Sequence, residues 1–359
     1  MTEIYLTIFF ISLLLFLLGS GIWVALSMIA VSAVGMLLFT TRPVGDAMAT
    51  TIWGTSSSWT LTALPLFVWM GEILFRTKLS ENLFKGLSPW LSKLPGGLVH
   101  VNVVGCALFA AISGSSAATV ATVGKMSIPE LRKRKYPEKL LLGSLAGSGT
   151  LGLLIPPSII LIIYGVTIED SIAKLFMAGI LPGIMIALMF MLYVIFWSIL
   201  NKKLMPKSVE SFSFLEKVQG SKQLLPVILL ITSVIGSIYT GIATATEAAS
   251  LGVVGALILS FFQGTLNKNT FNLSLLGATK TSCMIAFILA GSTFLSLAMG
   301  FTGLPRNLAI WIDGMNLSPY TLLFVLTIFY IILGMFLDGI SAVVLTMAII
   351  EPMIRQAGF

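Results

Sequence analysis

Gly147-Ser148-Gly149-Thr150-Leu151-Gly152-Leu153-Leu154-Ile155-Pro156-Pro157-Ser158 lies inside an apolar run from Leu140 to Tyr164. A run of about 20 apolar residues is enough to cross a bilayer. A crossing helix must pair its own backbone, because hydrocarbon offers no hydrogen bonds. Three glycines and two prolines oppose that pairing. Pro156 and Pro157 have no N–H to donate, and Ile155, preceding a proline, is pushed out of the α region. The pattern predicts a helix that breaks at membrane depth. Broken backbone is tolerated there only where protein buries it or where it lines a wet cavity. Two readings follow: a midplane binding site built on half-helices, as in secondary transporters, or a plain proline kink.

The rest of the chain supports a membrane setting. It has 359 residues, of which 57% are hydrophobic and 10% charged, with a mean hydropathy of +1.02. That composition excludes a soluble globular domain and defines an all-α polytopic membrane protein. The apolar runs are helix-length, unlike the short alternating strands of an outer-membrane barrel. Ile4–Leu18 lacks a basic leader and a cleavage pattern, so it reads as a first transmembrane helix. Cys106 and Cys283 sit in apolar segments and give neither metal spacing nor a disulfide framework. The net charge of +7 is carried by basic residues in loops, which fits the positive-inside rule and argues against nucleic acid as a partner. His100 is the only histidine. A multi-histidine metal site is thereby excluded, and His100 reads as structural or interfacial.

Taken in order, residues 1–95 form N-terminal scaffold helices. Ile4–Leu18 and Ile22–Phe39 cross, and a polar stretch, Thr50–Thr62, leads to the apolar run Leu61–Phe75. Arg42 falls outside, whereas Arg76, Lys78, Lys85 and Lys93 fall on a weakly amphipathic cytoplasmic segment. Residues 96–200 form a first transport repeat, with a hairpin at 96–129 and a broken helix at 140–165. The hairpin argument rests on charge. Leu98–Val123 is flanked by basic clusters on both sides, Lys85 and Lys93 before it and Lys125 with Arg132-Lys133-Arg134-Lys135 after it. A single crossing would put one cluster on the wrong face. A re-entrant hairpin keeps both in the cytoplasm and puts Ser113-Gly114-Ser115-Ser116-Ala117-Ala118-Thr119 near mid-membrane. The alternative is a small-residue packing face in an ordinary span. Thr167–Asp170 makes an acidic outer turn, and Leu175–Leu200 returns. Residues 201–223 read as the longest cytoplasmic loop and 224–315 as second-repeat scaffold helices, with Lys268 and Lys280 marking a short inner loop and Arg306 and Asp313 in an outer connection. Residues 316–359 form a second hairpin around Gly334–Ser341, an incomplete second transport repeat. The two halves then stand as inverted repeats, with two re-entrant hairpins and broken transmembrane helices.

These residues resemble a known family. Ala111-Ile112-Ser113-Gly114-Ser115-Ser116, Gly149-Thr150-Leu151-Gly152-Leu153-Leu154-Ile155-Pro156-Pro157-Ser158 and Ser171-Ile172-Ala173-Lys174-Leu175-Phe176-Met177-Ala178-Gly179-Ile180-Leu181-Pro182-Gly183 look like the large membrane subunit of TRAP (tripartite ATP-independent periplasmic) transporters. So do Thr244-Ala245-Thr246-Glu247-Ala248-Ala249 and Glu351-Pro352-Met353-Ile354-Arg355. The likeness runs through essentially the whole chain. It implies an elevator-type carrier of the bacterial inner membrane, importing organic acids on the sodium gradient. It also implies two partners, a small four-helix membrane subunit and a periplasmic substrate-binding protein. Two departures stand out. The family usually has Thr-Pro-Thr-Glu where Ala245 replaces the proline here, so that helix entry is expected to be less kinked. Members also continue beyond the position of Phe359 with a second Pro-Pro motif, so the chain is expected to be a fragment.

The residues suit such cargo. Sodium is a hard cation that wants oxygen ligands. Unwound backbone offers free carbonyls and a serine tip offers hydroxyls, while helix C-termini favour cations and N-termini favour anions. Ser113 and Ser116, with carbonyls at Gly152, Ile155 and Pro157, are the expected Na⁺ ligands. Asp338, Gly339 and Ser341 would start a matching site in the second half, and a carboxylate at membrane depth is costly and usually functional. Ser115, Thr119 and Ser158 would meet the substrate carboxylate. Glu72 reads as an interfacial cap near Arg76, with contact to the small subunit or a place lining the interior as the alternatives, Glu247 as a helix cap or ion ligand, and Lys125 as a snorkelling residue. A stand-alone sodium-coupled anion carrier without a binding protein is the alternative function. An intramembrane serine protease would need a base beside its nucleophile; His100 is poorly placed for Ser113–Ser116, so no enzyme is expected.

Overall fold

The structure, a computed structural model, describes residues 2–206, 212–303, 318–335, 337 and 339–358. These are helical throughout, with no strand. The helices are α1 Thr2–Gly19, α2 Val24–Phe39, α3 Val44–Ser56, α4 Ala63–Phe75, α5 Leu79–Leu91, α6 His100–Ser113, α7 Ser116–Lys133, α8 Glu138–Gly149, α9 Ile159–Thr167, α10 Ile172–Leu200, α11 Phe214–Lys222, α12 Leu225–Tyr239, α13 Ala245–Phe262, α14 Lys268–Thr302, α15 Pro319–Leu333 and α16 Gly339–Gln356. Among them α10, α13 and α14 are each long and apolar enough to cross a membrane. Helices α11 and α12 together reach that length, bent by 54° at their junction. This is a multi-pass membrane protein.

Two compact units emerge. One comprises Thr62–Ile162 and Ser171–Ser282. Its core contains Phe109, Ile112, Leu131, Leu141, Leu151 and Phe176, all fully buried. Helix α13 lies along α4, where Gly252 admits the Met70 thioether: a β-carbon there would stand 2.5 Å from the sulfur. Small residues let helix backbones approach in just this way in apolar surroundings. Phe67 of α4 meets Phe176 of α10 edge-on, centroids 6.0 Å apart. Trp69 Nε1 donates to Ser274 Oγ at 3.3 Å and its ring packs on Phe271. The other unit comprises residues 1–61, 163–170 and 283–359. Here α1 meets α2 through Phe9, Phe10 and Phe39. Met36, Phe294 and Ala298 form a buried core. Ser292 Oγ donates to the Val344 carbonyl at 2.6 Å, and Tyr330 of α15 bonds Thr346 of α16 at 2.7 Å.

Local chemistry departs from the sequence reading in two places. Phe214–Lys222, read as part of a polar loop, is helical. Ser213 and Glu216 form a reciprocal capping box there, two side chains satisfying two otherwise unpaired N–H groups. The helix packs on α5, with Trp90 Nε1 donating to Ser221 Oγ at 2.9 Å and Lys217 over the indole. The expected short inner loop between Lys268 and Lys280 is also absent. Helix α14 runs unbroken through it, started by Asn267, whose side chain accepts from Thr270 N at 2.9 Å. Lysines alone do not stop a helix; no proline lies in this stretch to do so.

Other expectations are met. Thr244 and Glu247 form a capping box at the start of α13, so Glu247 is a helix cap. Glu72 near the end of α4 pairs with Arg76, the residue that follows the helix. His100 is buried and its Nε2 contacts the Pro95 carbonyl at 2.8 Å.

Candidate functional site

Helices α6 and α7 form the first hairpin. Their antiparallel register is visible in Gly105, whose β-carbon position lies 3.6 Å from Val123. The turn between them is two residues. Gly114 ends α6 in the left-handed conformation, φ +57°, which costs a non-glycine residue about 1–2 kcal/mol. Ser115 caps the start of α7, its hydroxyl accepting from Ala118 N at 3.5 Å. Three hydroxyl residues then close on one another. Ser113 Oγ and Thr119 Oγ1 are 3.0 Å apart, Thr119 Oγ1 donates to the Ser115 carbonyl at 2.7 Å, and Ser115 N donates to Ser113 Oγ at 3.3 Å. Ser116 is different: its hydroxyl oxygen is buried and has no hydrogen-bond partner among the described residues.

The broken span is broken as the sequence implied. Helix α8 stops at Gly149, a single 3₁₀ turn covers Thr150–Leu153, and α9 begins only at Ile159. The Pro156–Pro157 peptide is cis. Leu154 N and Ile155 N both turn back to the Leu151 carbonyl. Among the described residues no backbone N–H pairs with the carbonyls of Gly152, Ile155 or Pro157. Ser158 is fully buried and donates to the Leu153 carbonyl.

Hairpin tip and break touch backbone to backbone. A β-carbon on Gly152 would stand 2.9 Å from the carbonyl carbon and oxygen of Ser115 and 3.0 Å from Ser116 N. One on Gly114 would stand 2.9 Å from the Pro157 carbonyl oxygen and from Ile159 N. Gly71 of α4 backs the tip, its β-carbon position 3.0 Å from Ser113 Cα. Gly179 and Gly183 of α10 back the break, against the Leu154 carbonyl and the Ile155 side chain. Ser113, Ser115, Ser116, Thr119, Gly152 and Pro157 are therefore brought together, with Ile155 on the α10 side. The glycines behind them carried no role in the sequence reading; a glycine in an apolar span announces a close approach but not its partner. At the hairpin base, Arg132 pairs with Glu138 and Arg134 with Glu130. The hydrogen bond from Arg132 holds the exposed Glu138 carboxyl below its ordinary range.

In the other unit, Gly339 opens α16 and Ser341 is buried. Asp338, Arg306 and Asp313 lie outside the described residues.

Gly114→Ala tests the tip geometry. The left-handed penalty of about 1–2 kcal/mol adds to displacement of the Pro157 carbonyl, so thermal unfolding in detergent should shift down by several degrees. An unchanged melting temperature would mean that the tip is not packed as described.

The described residues make an all-helical, multi-pass membrane protein with a hairpin seated on a broken span, an arrangement that suits a membrane permease. Residues 10–359 match the family model for the tripartite ATP-independent periplasmic transporter, DctM component, and the chain belongs to that family of TRAP large permeases. It is 32% identical to the C4-dicarboxylate TRAP transporter large permease protein DctM of Pseudomonas aeruginosa over 91% of this chain and 76% of that one. It is 30% identical to the sialic acid large permease SiaM of Vibrio cholerae, covering 95% and 79%. It is 32% identical to the 2,3-diketo-L-gulonate large permease YiaN of Escherichia coli, covering 87% and 73%. These relatives are transporter permeases, not enzymes.

Proposed function

We propose that this chain is the membrane permease of a sodium-coupled importer of an organic acid in the bacterial cytoplasmic membrane. A periplasmic binding protein delivers the acid and a small membrane subunit completes the complex. The single observation that carries the coupling claim is the Gly152 contact with Ser115–Ser116, beside a buried Ser116 hydroxyl that lacks a partner among the described residues. An orphaned buried hydroxyl costs about 1–3 kcal/mol, and a bound cation would recover that cost. The donors fit sodium: hydroxyls of Ser113 and Ser116 and carbonyls of Gly152, Ile155 and Pro157 are neutral oxygens with lone pairs to give. The C-terminal end of α6 adds a favourable dipole.

The acid would bind close by, at Ser115, Thr119 and Ser158, where α7 and α9 present N-terminal N–H groups. A matching second site at Asp338, Gly339 and Ser341, related by an inverted repeat, would complete the carrier. Transport then follows an elevator cycle: sodium orders tip and break, the acid completes the site, and the loaded hairpin moves across the membrane. Relatives named for C4-dicarboxylates, sialic acid and diketogulonate support a carboxylate as cargo.

The test is uptake into proteoliposomes holding the permease and small subunit, with the binding protein and its acid outside. Replacing external sodium by choline should cut the initial rate by at least about tenfold, the equivalent of 1.4 kcal/mol of coupling. Equal rates in the two buffers would overturn the sodium assignment.

A further inference from the structure

Below the tip, α6 and α8 share a polar cluster that the transport reading does not use. Asn102 of α6 is fully buried. Its Nδ2 donates to the Leu141 carbonyl at 3.3 Å and to Ser144 Oγ at 3.0 Å, both on α8. Ser144 Oγ donates to the same Leu141 carbonyl at 3.0 Å. Ser148, also fully buried, shares its one proton between the Ser144 carbonyl at 2.6 Å and, as the longer arm, the Asn102 carbonyl at 3.3 Å. The amide orientation follows from chemistry: the Leu141 carbonyl can only accept, so the NH₂ group must face it.

Apolar faces set how closely two helices approach but resist axial sliding weakly. Hydrogen bonds between fixed partners tolerate little displacement, and buried polar groups serve as register devices in other helical assemblies. The register of α6 on α8 matters here because both helices lead to the site. Asn102 lies about three turns before Ser113, and Ser148 about one turn before Gly152. A slip of one residue would move Gly152 by about 1.5 Å along the hairpin tip. Apart from its contact with the tip, Gly152 has no side chain to hold it.

We infer that Asn102, Ser144 and Ser148 are positioning residues: they lock the axial register of the hairpin against the broken span and thereby set its affinity for the cation without touching it. The inference rests on the sodium reading above. In Asn102→Leu, assayed in the complete complex, half-saturating sodium should rise about fivefold, as expected for losing one or two hydrogen bonds, while the rate at saturating sodium changes by less than about twofold. Half-saturation by the binding protein should stay unchanged. Ser148→Ala, a smaller change suited to the case where Asn102→Leu does not accumulate, should shift sodium in the same direction by less. Ser144→Thr keeps the hydroxyl and should behave as the parent chain. Hydrogen exchange on the purified proteins gives a readout independent of transport. Amides at 115–119 and 152–155 should exchange faster in Asn102→Leu and Ser148→Ala, with α10 and α13 unchanged. Unchanged exchange at the tip, or equally faster exchange throughout, overturns the lock. Uptake indifferent to sodium in the parent chain overturns the sodium reading, and exchange at the tip then decides the lock alone.

Discussion

Gly152→Ala should abolish sodium-driven uptake while leaving an inserted, largely helical protein. The added carbon would press on backbone atoms of Ser115 and Ser116 at 2.9–3.0 Å. No side-chain rotation can relieve a clash with backbone. Either the hairpin tip or the 3₁₀ turn at Thr150–Leu153 must move, and overpacking of this kind costs typically about 1–3 kcal/mol. That loss is modest for a membrane protein with long apolar helices, so expression should persist. The functional loss is larger. Several oxygens must converge on one ion, and displacing the Gly152 carbonyl from the Ser113–Ser116 tip removes more than one ligand. A drop in sodium-dependent rate of about a hundredfold or more corresponds to 2.8 kcal/mol, within reach of losing two such contacts. The measurement is proteoliposome uptake, normalised to incorporated protein. Parent-like uptake by Gly152→Ala would show that tip and break are not in contact in the working protein.

Ser116→Ala carries a prediction of sign. Most polar-to-alanine changes in a core destabilise because they strand a partner. Among the described residues Ser116 has no partner to strand. Removing its hydroxyl lifts the penalty of a buried unsatisfied group, so in sodium-free buffer the variant should melt at the same temperature or higher, by up to about 1 kcal/mol of stability. Added sodium should then stabilise it far less than it stabilises the parent, since ligand stabilisation follows RT ln(1 + [L]/Kd) and Kd is raised. Ser113→Ala gives the contrast. Its hydroxyl is engaged with Thr119 and with Ser115 N, so that variant should lose stability with or without sodium. If Ser116→Ala melted lower in sodium-free buffer and responded to sodium like the parent, the hydroxyl would have some other role.

Several features were legible because they depend on backbone chemistry that a residue cannot hide. Adjacent prolines lacking N–H groups, with glycines before them, made the break at 150–158 readable. Basic clusters on both flanks of Leu98–Val123 pointed to a chain reversal, and α6 and α7 do turn back on each other at Gly114–Ser115. The Thr244–Glu247 spacing gave the cap its signature. Capping at Ser213 and Asn267 carries signatures of the same kind, but polar and lysine-bearing stretches were read there as loops. Composition misled where local hydrogen bonds ruled.

Residue order by itself therefore determined the membrane class, the hairpin, the broken span and the set of oxygen-bearing residues near each, since all of these follow from hydrophobicity, charge and the missing proline N–H. Which of those residues meet came from packing alone. Gly152 lies far along the chain from Ser115, and nothing local pairs them. The glycines at 71, 114, 152, 179 and 183 let α4, the hairpin tip, the break and α10 approach closely, and that approach leaves the Ser116 hydroxyl buried with no partner among the described residues. Asn102, Ser144 and Ser148 became meaningful in the same way, because a buried amide acquires its role from the carbonyl that faces it.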